Sequence, residues 1–322
     1  MEKIYDIAII GGGPAGLSAA IYSSRAKLKT VILNEGSFGG QVVMTNEVAN
    51  YPGVDLTKGY SLANTMKKQA KDFGTKLVGN IKIKNYDIQS RIKTFELEDG
   101  RVFKAKAVIY AVGGRPRSIN AIGEDEFKGA GVSYCATCDG DFFTGKEVIV
   151  VGGGNSALEE AVSLTNFASK VTIVHQFDHF QAFPAVVDET KANPKINFIM
   201  ESKIVELKGE ESLKTAIIEN LKTREKIEMN IDGVFIFIGY MPNTEQLESV
   251  FELNENKEII VDSEMKTNIE GVFAAGDAIA KKFRQITTAV ADGTVAALSA
   301  AEYLRNKKDE FEKEELLNIN YN

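Results

Sequence analysis

The stretch YDIAIIGGGPAG, residues 5–16, joins a short apolar run to a glycine-rich turn. The run from Tyr5 to Ile10 is rich in apolar and β-branched residues and predicts a buried parallel strand. Small and apolar residues from Leu17 to Ala26 predict a helix packed against a sheet, and Thr30 to Leu33 predicts a second strand. Together these segments form a βαβ unit, which indicates an α/β fold.

The glycines of this turn follow the spacing Gly-x-Gly-x-x-Gly. Gly11 permits the turn, Gly13 lets the backbone approach a pyrophosphate, and Gly16 allows the helix to pack closely on the strand. The N-terminus of the helix adds partial positive charge for the phosphates. Glu35 follows at the spacing of an acid that accepts a ribose hydroxyl, although it also suits an ordinary surface loop. The pattern therefore predicts dinucleotide binding.

A second copy of the pattern begins where EVIVV, residues 147–151, leads into GGGNSA, residues 152–157. A helix and the strand VTIVH, ending at His175, follow it. The repeat predicts two similar mononucleotide-type domains. A duplicated fold can keep its glycines for the turn after losing the ligand, so nucleotide binding by this copy stays open.

Two further strands connect the copies, AVIYA at 107–111 and VFIFI at 234–238, and each runs into a turn that contains proline. The simplest arrangement inserts a middle domain, 117–242, into a first domain made of 1–116 and 243–322. We therefore predict an α/β fold of two Rossmann-like, three-layer domains, the second inserted into the first.

Composition narrows the class of protein. A chain of 322 residues that is 44% hydrophobic can form two soluble domains. The net charge of −7 argues against a nucleic-acid partner, and no apolar run is long enough to span a bilayer. The N-terminus lacks a cleavage-like stretch and only two cysteines are present, so we expect a cytoplasmic protein. The charged tail, residues 307–322, predicts a solvated helix or a frayed end.

Both cysteines lie in YCATCDG, residues 134–140. Zinc needs about four ligands, and the two histidines stand at no metal-binding spacing, so we expect no metal site. A structural crosslink over so short a loop would add little stability, while two unrelated thiols remain an open alternative. Cys135 and Cys138 best suit a redox dithiol, in which one thiolate attacks a disulfide and the other resolves it. Asp139 could protonate a leaving thiolate, although aspartate before glycine is also a common turn former.

The chain resembles the low-molecular-weight flavoprotein thioredoxin reductases over nearly its whole length. YCATCDG precedes the second glycine-rich unit, as it does in that family, and GVFAAGD (271–277) stands near the end. Further matching segments are GGQ (39–41), NEVANYPG (46–53) and RQI (284–286). The resemblance implies an oxidoreductase that reduces thioredoxin, with FAD held by 1–116 and 243–322. It also implies an NADPH-domain-like middle domain that carries the redox-active disulfide, and a homodimer.

The resemblance also implies roles for individual residues. The expected FAD-binding residues are Gly11, Gly13, Pro14, Ala15, Gly16, Glu35, Gly40, Gln41, Asn50, Ala111, Gly113, Gly276, Asp277, Arg284, Gln285 and Ile286. Cys138 would be the thiol nearer the flavin, Cys135 the one that attacks thioredoxin, and Asp139 the acid. The middle domain is expected to rotate on the connections at 114–116 and 240–242.

One departure concerns the electron donor. NADPH-using relatives carry His-Arg-Arg, three residues, then Arg-Ala, whereas residues 175–182 here read HQFDHFQA. Because all three arginines are absent, a bound 2′-phosphate would lose several charge-assisted hydrogen bonds. Phe177 and Phe180 would also place apolar bulk where a charged group should lie. NADH would need an acid at the strand end, where the chain has Gln176.

This pattern resembles the ferredoxin-dependent flavin thioredoxin reductases, so we favour ferredoxin as donor and a non-functional NADPH site. Lys281, Lys282 and Arg284 form the candidate basic dock for ferredoxin. The alternatives are an NADPH- or NADH-dependent thioredoxin reductase, a ferredoxin-NADP reductase of similar fold, and a non-catalytic flavin-binding redox sensor.

Overall fold

A computed structural model of the protein describes residues 4–45, 48–245 and 247–311. The described residues divide into two compact units. The first unit comprises Met1–Arg115 and Met241–Asn322, and the second comprises Pro116–Tyr240. The second unit is thus a single stretch of chain inserted into the first.

The strands, in chain order, are β1 (Ile4–Ile10), β2 (Thr30–Leu33), β3 (Lys76–Val78), β4 (Ile83–Asp87), β5 (Lys93–Leu97), β6 (Val102–Tyr110), β7 (Gly114–Pro116), β8 (Val132–Ser133), β9 (Glu147–Val151), β10 (Lys170–Val174), β11 (Ile196–Ile199), β12 (Ser202–Gly209), β13 (Leu213–Asn220), β14 (Lys226–Asn230), β15 (Gly233–Ile236), β16 (Tyr240–Pro242) and β17 (Val272–Ala274). The α-helices are α1 (Pro14–Arg25), α2 (Gly59–Asp72), α3 (Ala136–Asp139), α4 (Asn155–Leu164), α5 (Pro184–Ala192) and α6 (Ile286–Asn306). Short 3₁₀ turns cover Gly40–Met44, Gly140–Phe143 and Gly276–Ala278.

The sheet of the first unit has the order β3-β2-β1-β6-β5-β4, and β17 also pairs with β6. The pairs β1–β2, β1–β6, β2–β3 and β6–β17 are parallel, whereas β5 runs antiparallel to β4 and β6. In the register, Ile7 lies opposite Thr30 on one side and Ala107 on the other. Since β1 and β6 are neighbours, their carboxyl ends bring Gly11 beside Ala111, at the edge where ligands bind in such sheets.

The second unit contains a parallel sheet of order β11-β10-β9-β15-β8 and a three-stranded antiparallel sheet, β12-β13-β14. Strand β9 is buried except at Glu147, as expected for a central parallel strand. Helix α4 packs Ala157, Leu158 and Ala161 into the core beside this sheet. The predicted fold, α/β with one Rossmann-like domain inserted into the other, is confirmed.

Helices α1 and α6 pack closely although they lie at opposite ends of the first unit's sequence. A Cβ on Gly293 would overlap the carbonyl oxygen of Ala15, so only glycine allows this approach. Ser18 Oγ lies 2.9 Å from Thr294 Oγ1 across the same contact. The contact holds the start of α6 beside the glycine-rich turn that begins α1.

The predicted solvated tail falls mostly outside the described residues, which end at 311. Within them, Phe311 is buried and its ring meets Tyr303 at a centroid distance of 6.1 Å. Residues 308–311 are helical and Lys308 and Asp309 are exposed, so the expected solvated helix is confirmed there except at Phe311, which packs on the first unit. No helix in the described ranges is long and apolar enough to cross a membrane.

Candidate functional site

The first glycine-rich turn has room only for glycine at two positions. Gly11 has φ +105°, and a Cβ there would overlap the carbonyl oxygen of Ala111. A Cβ on Gly16 would overlap the carbonyl oxygen of Gly11. Gly13 differs, because its Cβ would meet only the Cα of Gly40, at 3.8 Å. Gly11 and Gly16 thus serve the turn and the packing, while Gly13 and Gly40 leave backbone accessible.

Helix α1 begins at Pro14 directly after this turn. Its N-cap, Gly13, offers no side-chain hydrogen bond to the first turn, so the backbone N–H groups there stay available to an external acceptor such as a phosphate. Ala15 lies against Gly276, where a Cβ would stand 2.8 Å from the Ala15 Cβ. The expected phosphate-binding turn and the Gly276 turn therefore meet.

Asn34, rather than Glu35, contacts the turn. Its Oδ1 accepts the backbone N–H of Gly12 at 2.8 Å, whereas Glu35 is exposed one residue further on. The sequence offered no signal for Asn34, since an amide after a strand is common. Beside Glu35 lies a cavity of about 380 Å³. Its lining residues are Gly36, Ser37, Phe38, Tyr60, Asn64, Lys67, Gly79 and Asn80.

Three further expected residues are joined by hydrogen bonds. Gln41 Nε2 donates to the carbonyl oxygen of Gly114 at 2.6 Å, next to Gly113. Asn50 Nδ2 lies 3.4 Å from Gln285 Oε1. Gln285 also caps α6, which begins at Ile286, because its side chain accepts the N–H of the helix's third residue. Segments distant in sequence thus converge on the start of α6.

Asp277 stands in a charged cluster beneath this surface. Its buried Oδ1 has no hydrogen-bond donor of good geometry among the described residues, and Lys281 Nζ lies 3.5 Å away. Lys281 pairs more closely with Asp292, at 2.6 Å. Burial raises the pKa of the Asp277 carboxyl, against the opposing charges of Lys281 and Arg284. An acceptor oxygen in this setting suits a ligand hydroxyl.

These features fit FAD. The cradle has open glycine backbone at a helix N-terminus for a pyrophosphate, a cavity beside Glu35, and a buried carboxylate oxygen at Asp277 with acceptor capacity to spare. Groups suited to a pyrophosphate, an adenosine and a ligand hydroxyl therefore lie within one unit.

The cysteines of the second unit are bonded to each other. Cys135 and Cys138 form a disulfide with a Cα–Cα distance of 5.3 Å. Cys135 is the N-cap of α3, and its Sγ accepts the backbone N–H of Cys138 at 3.2 Å. A donor aimed at Sγ would favour negative charge there in the reduced state. Within the described ranges, no cluster of His, Cys, Asp and Glu could hold a metal ion.

Asp139, next in sequence, is largely removed from water. Desolvation is the main cause that raises the pKa of its carboxyl, the nearby charge of Asp141 adds to it, and a hydrogen bond from Ser133 opposes it. Ser133 Oγ donates to Asp139 Oδ2 at 2.6 Å. A carboxyl with a raised pKa keeps its proton to higher pH, which suits a proton donor beside a disulfide.

A buried carboxylate lies behind the dithiol. Glu124 is 3% exposed and accepts hydrogen bonds from Tyr134 Oη at 2.7 Å and Ser118 Oγ at 2.6 Å. Burial, and then this bond, raise the pKa of the Tyr134 phenol. The residue before Cys135 is thereby fixed to the segment that follows the 114–116 connection. Sequence reasoning missed both Ser133 and Glu124.

The segment 175–182 folds onto the second glycine-rich turn. Gln181 N–H donates to the carbonyl oxygen of Gly153 at 2.8 Å, and the buried ring of His175 fills the space beside Gly153. Phe177 is 39% exposed, whereas Phe180 is half-buried against the core, with its ring 5.7 Å from that of Phe198 between centroids. That these two rings replace a charged group of the NADPH-using relatives stays a prediction.

A family model for pyridine nucleotide-disulphide oxidoreductases matches residues 5–293 of the chain. The chain belongs to this family. Membership makes the protein a flavoprotein oxidoreductase and implies FAD as its cofactor, in agreement with the cradle of the first unit.

Similar proteins match nearly the whole chain. A thioredoxin reductase of Peptoclostridium acidaminophilum is 46% identical over 317 residues, which is 96% of this chain and 100% of the relative. A 34.2 kDa protein in the rubredoxin operon of Clostridium pasteurianum is 43% identical, over 95% of this chain and 99% of the relative. The crystal structure of thioredoxin reductase from Streptococcus pyogenes superimposes with a TM-score of 0.91 at 39% identity, over 95% of this chain and 100% of that one.

The structure corrects the expected basic dock. Lys281 is paired with Asp292 and its side chain is only 13% exposed. Arg284 is paired with Glu258 and is 22% exposed. Of these three cationic side chains, only that of Lys282 is exposed, so the segment does not form a basic patch.

Proposed function

We propose that this protein is a thioredoxin reductase, in which FAD serves the Cys135–Cys138 dithiol. The observation that carries the proposal is the disulfide between these residues beside a carboxyl of raised pKa, in a member of a disulfide oxidoreductase family. The names of the relatives from Peptoclostridium acidaminophilum and Streptococcus pyogenes support thioredoxin as the substrate. By the same resemblance we propose a cytoplasmic homodimer.

In this proposal FAD lies along the first unit. The glycine-rich turn would hold its pyrophosphate: Gly13 and Gly40 offer open backbone, Gly11 and Gly16 shape the turn, and Pro14 and Ala15 begin the helix. The cavity lined by Gly36 and Asn80, next to Glu35 in sequence, would hold the adenosine end. Asp277 would accept a hydrogen bond from a hydroxyl of FAD. By the family resemblance, the residues that would hold the ring system are Gln41, Asn50, Arg284, Gln285 and Ile286. FAD supplies redox chemistry in single electrons or pairs when bound.

The dithiol transfers electrons by thiol–disulfide exchange. In the reduced protein, the thiolate of Cys135 attacks one sulfur of the thioredoxin disulfide and forms a mixed disulfide, while the other thioredoxin sulfur leaves and takes a proton. The thiolate of Cys138 then attacks Cys135 Sγ and releases the second thioredoxin thiol. The Cys135–Cys138 disulfide is restored, and two electrons have passed to thioredoxin. Asp139 gives a proton to the thiolate that leaves when the disulfide is next opened.

For the electron donor we propose ferredoxin, because residues 175–182 contain no arginine or lysine that could hold a 2′-phosphate. Phe177 is exposed where the NADPH-using relatives have arginine. The family's name, pyridine nucleotide-disulphide oxidoreductase, favours the alternative of NADPH or NADH. The loss of the expected dock at Lys281 and Arg284 leaves the position of ferredoxin on the surface open.

An anaerobic mixing experiment separates these donors. The FAD-loaded protein is mixed with excess NADPH, NADH or reduced ferredoxin while flavin absorbance is followed. We expect bleaching by ferredoxin alone, and rapid bleaching by either nucleotide would disprove the choice of donor. A variant carrying Gln176→Arg, Phe177→Arg and Gln181→Arg is the matched control, which we expect to gain response to NADPH. Thioredoxin reduction is then scored with each donor, and its absence with all three would disprove the activity.

A further inference from the structure

Ser133 stands between the dithiol turn and the sheet of the second unit. It is the last residue of β8, 5% exposed, and pairs with Phe235 in the parallel sheet. Its Oγ lies 2.6 Å from Asp139 Oδ2 and accepts the backbone N–H of Cys135 at 3.1 Å. One buried hydroxyl thus touches both the acid and the backbone of the first cysteine.

The hydrogen-bond capacity of this hydroxyl determines where its proton goes. A serine hydroxyl has one proton to donate and two lone pairs, one of which receives the Cys135 N–H. The proton has two acceptors within reach, Asp139 Oδ2 at 2.6 Å and the Cys135 carbonyl oxygen at 3.4 Å. The shorter contact has the normal length of an O–H···O bond, and the longer one is beyond it. Ser133 therefore donates to Oδ2 of Asp139.

A consequence follows for the protonated acid. An oxygen that accepts a hydrogen bond from Ser133 acts as the carbonyl oxygen of a neutral carboxyl group, so the acidic proton resides on the other oxygen, Oδ1. We propose that Ser133 is a positioning residue, which holds the transferable proton of Asp139 on Oδ1 and fixes the backbone of Cys135. This assignment rests on the proposed disulfide reductase function, in which Asp139 is the acid.

The assignment differs from a merely structural role in what it predicts. A buried serine that only satisfies backbone groups would affect stability but not the protonation of a neighbour. Ser202 is such a residue, because it is 3% exposed in the same unit and its Oγ donates to the carbonyl oxygen of Met200 at 2.8 Å. Ser202→Ala therefore provides a matched control for Ser133→Ala.

The first readout is infrared spectroscopy of the FAD-loaded protein in its disulfide form, titrated through the pKa of Asp139. The C=O stretching band of protonated Asp139 is identified as the band that is absent from the spectrum of Asp139→Asn. We expect this band to move to higher frequency in Ser133→Ala, because the bond to the carbonyl oxygen is lost, and to stay in place in Ser202→Ala. An unmoved band in a folded Ser133→Ala protein would overturn the proposal.

The second readout is thioredoxin reduction across pH. Ser133 favours the ionised acid, so its removal raises the pKa of Asp139 further, and the alkaline limb of the rate profile moves to higher pH. We expect Ser133→Ala to lower kcat by about 10-fold to 100-fold through misplacement of the acid. Ser133→Thr keeps the hydroxyl, so its C=O band and its pH–rate profile should match those of the wild type, and it should retain most of the wild-type kcat.

The Thr variant also covers the case in which Ser133→Ala does not fold. A folded Ser133→Thr protein with a displaced band would overturn the proposal, as would equal losses of rate in Ser133→Ala and Ser202→Ala. If no variant and no wild-type protein reduces thioredoxin, the proposed function fails. The infrared shift still decides whether Ser133 places the proton of Asp139.

Discussion

Lys281→Met removes the cation at the centre of the charged cluster beneath the FAD cradle. Lys281 Nζ lies 2.6 Å from Asp292 Oδ2, 3.5 Å from Asp277 Oδ1 and 3.3 Å from Thr288 Oγ1. Its side chain is 13% exposed and that of Asp292 is 15% exposed. Methionine has a similar length and no charge, so the change leaves two carboxylates without their ammonium partner.

The expected loss of stability follows from the geometry. At an effective dielectric constant of about 20, a contact of this length corresponds to roughly 6 kcal/mol of attraction between Lys281 and Asp292, much of it offset by desolvation. Removal of one partner from a buried pair lowers the free energy of unfolding by about 3 kcal/mol. Asp292 Oδ2 also accepts the N–H of Gly276 at 3.2 Å, so the turn that begins at Gly276 should loosen with it.

Urea unfolding of the FAD-free chain, followed by far-ultraviolet circular dichroism, measures this loss. Burial already raises the pKa of Asp277, and the variant raises it further by removing an opposing charge. Asp277 is then protonated more readily in the folded variant than in the folded wild type, so the deficit should shrink as pH falls. Lys282→Met is the control, because Lys282 is exposed and contacts only the exposed ring of Phe283 in the described structure. A loss below about 1 kcal/mol for Lys281→Met, or one unchanged by pH, would refute this account.

Other changes test the turn and the dithiol. Asp139→Asn should slow thioredoxin reduction by about 10²-fold to 10⁴-fold, and the fall in rate as pH rises through the raised pKa should disappear from its pH profile. Cys138→Ser should accumulate a mixed disulfide between Cys135 and thioredoxin, visible by non-reducing mass spectrometry, whereas Cys135→Ser should form none. Gly16→Ala overlaps the preceding turn and should lower the free energy of unfolding by roughly 1–3 kcal/mol, with loss of bound FAD. Gly36→Ala meets nothing within 4 Å and should be neutral in the same urea assay.

The parts of the molecule that the sequence predicted are those in which one residue type is required by backbone geometry. Gly11 and Gly16 stand where any Cβ would overlap a carbonyl oxygen, so their spacing alone indicated the βαβ turn. The second glycine-rich unit followed from the same kind of signal, whereas the inserted order of the domains followed from the two connecting strands at 107–111 and 234–238. The pairing of Cys135 with Cys138 also agrees with the Cys-x-x-Cys spacing.

The parts that the sequence did not predict depend on side-chain partners from distant segments. Lys281 resembles a surface cation in a run with Lys282, but Asp292, on α6 and 11 residues further along the chain, forms an ion pair with it. Phe180 is half-buried because Phe198, on β11, packs against its ring, and the residues next to Phe180 in sequence do not indicate that contact. Ser133 and Asn34 are small polar residues with many common roles, and only their measured contacts with Asp139 and Gly12 reveal theirs.

The contact between α1 and α6 constrains the order in which the chain acquires structure during synthesis. Ala15 lies against Gly293, and β17 pairs with β6, so the first unit needs segments separated by the whole of Pro116–Tyr240. The inserted unit has all its strands in one continuous stretch and can fold as soon as that stretch leaves the ribosome. Helix α1 has to wait until about 290 residues have been made before its partner exists. The second unit, which carries the dithiol, therefore folds first. The first unit stays incomplete until α6 and β17 have been synthesised, and during that time it needs protection from aggregation.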